Sequence, residues 1–219
     1  MKRYCLYLFI LIGISCSAEL KAQKNGTVYK GNDPAVRYTG RTLVSPDGSV
    51  AFDWVGTYLE TRFTGGKLSV KVSETGTSYY NVFVDGKLHK VVKVCGTDTL
   101  IHLVSGIDKR IHSLKIQKRS EGEFGKTTVH QFVLSGSGRL AEEPAVRTRH
   151  IEFIGNSLTC GYGTDGKHRD EPFLVETENC NLTFASMVAR YYDADYTLIA
   201  HSGRGAARNY GCLLYTSDA

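Results

Sequence analysis

Several things are scarce in these 219 residues, and each absence excludes something. The longest apolar stretch, Leu6–Ile14, is far shorter than the roughly 20 residues that cross a bilayer. No block of lysine and arginine accompanies the mild net charge of +5, which argues against a nucleic-acid partner. His102, His112 and His130 have no metal-ligand spacing and read as strand histidines with local partners, so neither metal nor cofactor is expected. Methionine is limited to two residues, while glycine (23) and tyrosine (13) abound. That mix favours β-structure with many turns.

Both ends read as something other than folded protein. Residues 1–23 have the order of a secretion signal: Lys2 and Arg3, the short apolar core, then the small residues Ser15, Ser17 and Ala18. Cleavage near Ala22 is expected, with Cys16 as a lipoprotein-type alternative; either leads out of the cytoplasm. Cys95, Cys160, Cys180 and Cys212 remain after that cut. Cys160 and Cys180 leave two states open, a disulfide or two buried thiols. At the other end, residues 212–219, CLLYTSDA, resemble a translated sequencing adaptor, and a non-native tail is expected there.

Residues 24–142 read as strand after strand. Leu59, Thr61 and Phe63 alternate with polar residues, as do Leu68, Val70 and Val72. Further strands are expected at Ser49–Trp54, Tyr80–Val84, Leu88–Val92, Thr99–Val104, His112–Lys118 and Val129–Leu134. Gly65-Gly66 and Asp85-Gly86 each read as hairpin turns. The regular spacing and the lack of a helical pattern argue a β-sandwich or jelly roll. Trp54, Tyr58, Tyr79 and Tyr80 are either sugar-stacking or core aromatics. KRSEGEFG, residues 118–125, reads as a solvated charged loop, and Gly136–Pro144 as a linker.

A different pattern begins near residue 146. Ile151, Phe153 and Ile154 form a strand that breaks at Gly155 and delivers Ser157 to a helix start or tight loop. A glycine there is expected for its unusual backbone angles. A serine at the exit of a strand is the placement of an activated nucleophile, although the GxSxG elbow is missing. Asn181 reads as a helix N-cap, and Phe184, Met187, Val188 and Tyr191 form an apolar stripe expected to pack on a sheet. Residues 196–200, YTLIA, form a second strand ending at Ser202-Gly203-Arg204-Gly205. Strand, helix, strand implies parallel strands, so both loops open at the sheet's carboxyl end, where ligands bind.

Gly155-Asn156-Ser157-Leu158 resembles the first block of the GDSL or SGNH hydrolases, and Ser202-Gly203-Arg204-Gly205 their second. The longer strings IEFIGNSLTCGYG and HSGRGAARNY, behind YTGRT, NVFVDGK and KRSEGEFGKTT, resemble carbohydrate esterase family 2 from about Val36 to Gly211. The resemblance implies an all-β jelly-roll sandwich (24–142) followed by an incomplete α/β SGNH domain of flavodoxin-like, three-layer type (146–211). It implies a secreted or periplasmic esterase whose partner is an acetylated polysaccharide or oligosaccharide such as xylan. Ser157 matches the nucleophile and, through its backbone N–H, the oxyanion hole. Gly205 is the expected second donor, with Gly203 beside it. Asn156 replaces the aspartate of the GDSL pattern. The third-block asparagine and the C-terminal histidine with its acidic neighbour have no match, and His168 and His201 read as loop residues. The chain as given is therefore expected to be inactive. The rival reading is a non-catalytic carbohydrate-binding sandwich.

Overall fold

The computed structural model describes residues 26–142 and 144–212. The expected leader and residues 213–219 of the expected tail lie outside the described residues. Twelve strands come first: β1 (Gly26–Lys30), β2 (Val36–Thr39), β3 (Leu43–Val44), β4 (Val50–Phe52), β5 (Tyr58–Thr64), β6 (Lys67–Glu74), β7 (Thr77–Val84), β8 (Lys87–Cys95), β9 (Thr99–Val104), β10 (Ile111–Lys118), β11 (Thr127–Ser135) and β12 (Arg139–Leu140). They form two antiparallel sheets. One runs β3-β4-β11-β6-β9, with β1 also on β11. The other runs β12-β5-β10-β7-β8, with β2 also on β5.

Alternation explains why the two sheets face each other. Leu68, Val70, Phe132 and Leu134 from the first sheet bury against Leu59, Phe63, Val82 and Leu114 from the second, in one continuous core. Asp85-Gly86 closes the β7–β8 hairpin as expected, with φ of +50° and +75°. Gly65-Gly66 does not close a hairpin. Strand β5 belongs to the second sheet and β6 to the first, so the two glycines make an arch between sheets. Alternation alone cannot tell the two apart, because both strands turn their apolar side inward either way. The expected linker likewise begins inside a sheet, since β12 pairs with β5.

After the sandwich come β13 (His150–Gly155), the single turn α1 (Ser157–Cys160), α2 (Phe184–Tyr191) and β14 (Asp195–Ala200), with short 3-10 turns at Val175–Thr177 and Cys180–Leu182. β13 and β14 pair in parallel, with Gly155 opposite Ala200. Helix α2 reverses the expected orientation. Its stripe faces outward, with Phe184 54% and Tyr191 83% exposed, while Ala185, Ser186 and Ala189 are buried. Small residues let the helix approach closely, and periodicity shows that a helix has an apolar side without showing what covers it. The N-cap is Thr183; Asn181 sits one short turn earlier.

These elements do not have a core of their own. Val55 and Tyr58 of the sandwich pack with Cys160, Cys180, Ala185, Tyr196 and Leu198 in a second apolar cluster. Gly56, at φ +73°, makes room: a Cβ there would stand 2.6 Å from Leu198. Around this cluster lies a polar seam. Asp195 accepts from Arg37 (2.7 Å), the Tyr58 hydroxyl (2.7 Å) and Arg147 (2.8 Å). Asn81 donates to both Gln117 and Asn179 at 3.0 Å. The seam fixes how β13 and β14 sit on the sandwich, because the Asp195 carboxylate and the Asn179 side chain are each answered from the other side.

Candidate active site

Asn156 shapes the start of α1. Its extended backbone places its side chain to accept from the Leu158 N–H at 3.2 Å, which caps the turn. Ser157 is thereby the first helical residue, half-buried at the strand exit. Its carbonyl accepts from Gly161 and Tyr162, which closes the turn behind it. Gly155 is required here for a reason other than the one expected. Its φ is not in the left-handed region; a Cβ would instead collide with the Thr159 side chain, which folds back over it.

The second loop arrives at the same level. The His201 N–H donates to the Gly155 carbonyl (3.3 Å), continuing the ladder one residue past the strands. Gly203 adopts φ +76°, and its carbonyl accepts from Tyr210 (2.7 Å). The Gly205 N–H donates to Asn209 Oδ1 at 3.3 Å, and a Cβ on Gly205 would collide with the Arg208 carbonyl. Ser157, Gly203 and Gly205 line one cleft of about 930 Å³. The structure thus brings the predicted serine and both predicted glycines together.

The cleft contains residues not singled out from sequence: Glu123, Tyr162, Arg204, Arg208, Asn209 and Tyr210. Tyr162 stacks on Phe173 (3.8 Å between centroids), which lies against Phe124 of the sandwich. Of the four aromatics considered for sugar stacking, Tyr58 and Tyr80 are core residues. Trp54 remains half-exposed, beneath Arg41 and beside His201.

Histidine is not aimed at the serine. His201 Nδ1 donates to the Ser202 carbonyl (2.8 Å), and its ring lies between Glu121 (3.7 Å) and Glu123 (3.6 Å). His168 sits in an exposed turn. Among the described residues no hydrogen bond joins a histidine to Ser157. His102, His112 and His130 meet Ser69, Ser73, Asp85 and Asp108 instead.

Residues 38–144 match the family described as carbohydrate esterase 2 N-terminal. The chain belongs to carbohydrate esterase family 2. It is 34% identical over 180 residues to the "Cellulase/esterase CelE" of Acetivibrio thermocellus, covering 82% of this chain and 22% of that protein. It is 32% identical over 177 residues to an "Acetylxylan esterase / glucomannan deacetylase" of Cellvibrio japonicus, covering 78% and 48%. The solved family two carbohydrate esterase from Clostridium thermocellum, in complex with cellohexaose, superposes with a TM-score of 0.77 at 34% identity, over 82% of this chain and 55% of that one. The chain thus spans 22% and 48% of the length of these two curated relatives.

Within this family 2 chain, the strongest departure from the sequence reading is residues 118–121. Lys118, Arg119, Ser120 and Glu121 are buried, at 2% exposure or less, between the sandwich and the cleft loops. The charges read as solvated because local sequence does not show their distant partners. Arg119 donates to the Glu178 carbonyl (2.7 Å) and pairs with Asp165. Lys118, lowered to about 8 chiefly by burial, donates to Ser78 Oγ (2.8 Å). Glu121 accepts from the Ser202 N–H (2.7 Å) and from the Ser202 hydroxyl.

Cys160 and Cys180 are both free and buried. Burial raises both thiols, Cys180 to about 12, so neither is a thiolate. Glu121, Cys160 and Glu178 each place one donor atom within 4.8 Å of the others, the one group among the described residues with the makings of a metal site. Its chemistry also suits a proton. Burial and the neighbouring Glu121 push Glu178 up to about 9, and Glu178 Oε1 has no donor facing it. A neutral Glu178 accepts from the Glu121 N–H (2.8 Å) and is left a proton to give Glu121.

Proposed function

We propose that this chain is the front part of a secreted serine esterase that removes O-acetyl groups from plant cell-wall polysaccharide such as xylan. Residues 24–142 are its jelly-roll sandwich, and 146–211 are the opening of an SGNH α/β domain. The observation that carries this reading is the meeting of Ser157 with the Gly203–Gly205 turn in one cleft, at the carboxyl end of a parallel strand pair. The relatives' names support the substrate class.

In this reading Ser157 Oγ attacks the acetyl carbonyl, and the oxyanion is received by the backbone N–H groups of Ser157 and Gly205, with Gly203 adjacent. For Gly205 to serve, its N–H must leave Asn209 Oδ1, a long bond that is easily exchanged. The alcohol of the sugar departs, and water releases acetate from the acyl-serine. A base must take the Ser157 proton, and His201 is held by Ser202, Glu121 and Glu123. We place the base in sequence beyond these residues.

Two measurements test this. The 219-residue chain should show no Ser157-dependent hydrolysis of 4-nitrophenyl acetate. The gene's full reading frame should release acetate from acetylated xylan, and Ser157→Ala should reduce kcat at least a thousandfold. Ser157→Ala acting like the parent sinks the reading.

A further inference from the structure

We propose that Glu121 is a positioning residue for the hydrolytic site: one buried carboxylate, supplied by the sandwich, ties the Ser202 turn to the helix that begins at Ser157. The proposal rests on the reading of Ser157 as nucleophile. Glu121 follows strand β10 and is 2% exposed. One of its oxygens accepts from the Ser202 N–H at 2.7 Å and the other from the Ser202 hydroxyl. On its other side it lies against Cys160, the last residue of α1, with one donor atom of each within 4.8 Å of the other. Glu178 stands behind it and accepts from its backbone N–H.

Both ends of this clamp matter for geometry. Ser202 immediately precedes Gly203 and Gly205, and a turn with two glycines has wide conformational freedom unless something outside it holds it. An oxyanion donor must lie within about 2.7–3.1 Å of the developing charge. Displacement by about 1 Å can cost roughly a hundredfold in rate. The turn's own bonds, Arg204 N–H to the His201 carbonyl (3.2 Å) and Tyr210 N–H to the Gly203 carbonyl (2.7 Å), fix it to itself and to the following loop. Glu121 fixes it to the sandwich, against Cys160 at the end of the turn that begins at Ser157. Neither oxygen of Glu121 reaches the reacting atoms. Its effect is therefore on kcat, with little on substrate binding.

The test uses the full chain, with Glu121→Gln, Ser202→Ala and Ser157→Ala compared with the parent. Glutamine keeps the size but turns one acceptor into a donor, which faces a Ser202 proton the carboxylate used to receive. Amide exchange across residues 201–205, read by mass spectrometry, should accelerate ten- to hundredfold in Glu121→Gln, the range of one charge-assisted hydrogen bond. On 4-nitrophenyl acetate kcat should fall by a similar factor while KM stays within twofold. Ser202→Ala keeps the backbone N–H donor and should lose kcat three- to tenfold. Exchange and kcat both unchanged in Glu121→Gln, or a loss carried by KM alone, overturns the proposal. Should that variant not fold, an unchanged kcat in Ser202→Ala overturns it. Parent-like hydrolysis by Ser157→Ala overturns the nucleophile reading instead, and the exchange rates still decide whether the clamp exists.

Discussion

Replacing Glu178 with glutamine should flatten the dependence of stability on pH. Glu178 is fully buried, and burial first, then Glu121, raise it from 4.5 to about 9. Lys118, Cys160 and Cys180 also face it. The folded protein holds this proton between pH 5.5 and 7.5, and the unfolded chain does not. A raised carboxyl therefore stabilises most below pH 4.5 and loses that stabilisation progressively as pH rises toward 9. One proton of difference gives a slope of about 1.4 kcal/mol per pH unit, so the parent should lose about 2.7 kcal/mol more than Glu178→Gln across this window. Lys118 changes charge near 8, above the window. His112, raised by Asp85, titrates equally in both proteins and cancels. Glutamine reproduces the neutral acid, accepting from the Glu121 N–H and donating to its carboxylate, so the fold should survive. Urea unfolding at pH 5.5, 6.5 and 7.5 measures the two slopes. Parallel lines for parent and variant would refute the shared-proton account.

Two further outcomes follow from the seam. Burial raises Asp195, but hydrogen bonds from Arg37, Tyr58 and Arg147 outweigh it and hold the carboxyl far below its ordinary 3.8. Its stabilisation is present above that value and lost as pH falls below it, so Asp195→Asn should flatten the acid limb of unfolding between pH 4 and 2. Asp195→Ala should cost about 3–5 kcal/mol at pH 7, because two arginines then compete for Glu60; a loss below 1 kcal/mol in urea contradicts this. Cys160 and Cys180 should resist a thiol reagent in the native protein and react in urea. Two thiols that stay silent in urea without reductant would show a disulfide.

Much of the fold was legible because strands announce themselves by alternation, as Leu59–Phe63 and Leu68–Val72 do. Sheet membership was not, since β5 and β6 look the same whether paired or facing. Ser157, Gly203 and Gly205 were legible because two glycine-bearing loops follow parallel strands, and topology alone puts them together. Glu121 was not. Its local string is charged, and its burial depends on Ser202 and Glu178, 81 and 57 residues later. Asp195 was missed for the same reason, as its partners Arg37 and Tyr58 come from the opposite end of the chain.

The shared apolar cluster has a consequence for the order in which the chain acquires structure. Every strand pairing of the two antiparallel sheets lies within residues 26–140, so all the partners its ladders need precede Cys160, Tyr196 and Leu198 in the chain. The later segment then emerges beside a surface already carrying Val55, Tyr58 and the Gly56 notch. N-terminal units generally fold first during synthesis. The sandwich then offers β13 and β14 an intramolecular template on which to condense. Substitutions on that surface should lower the yield of correctly folded protein more than the stability of molecules already folded.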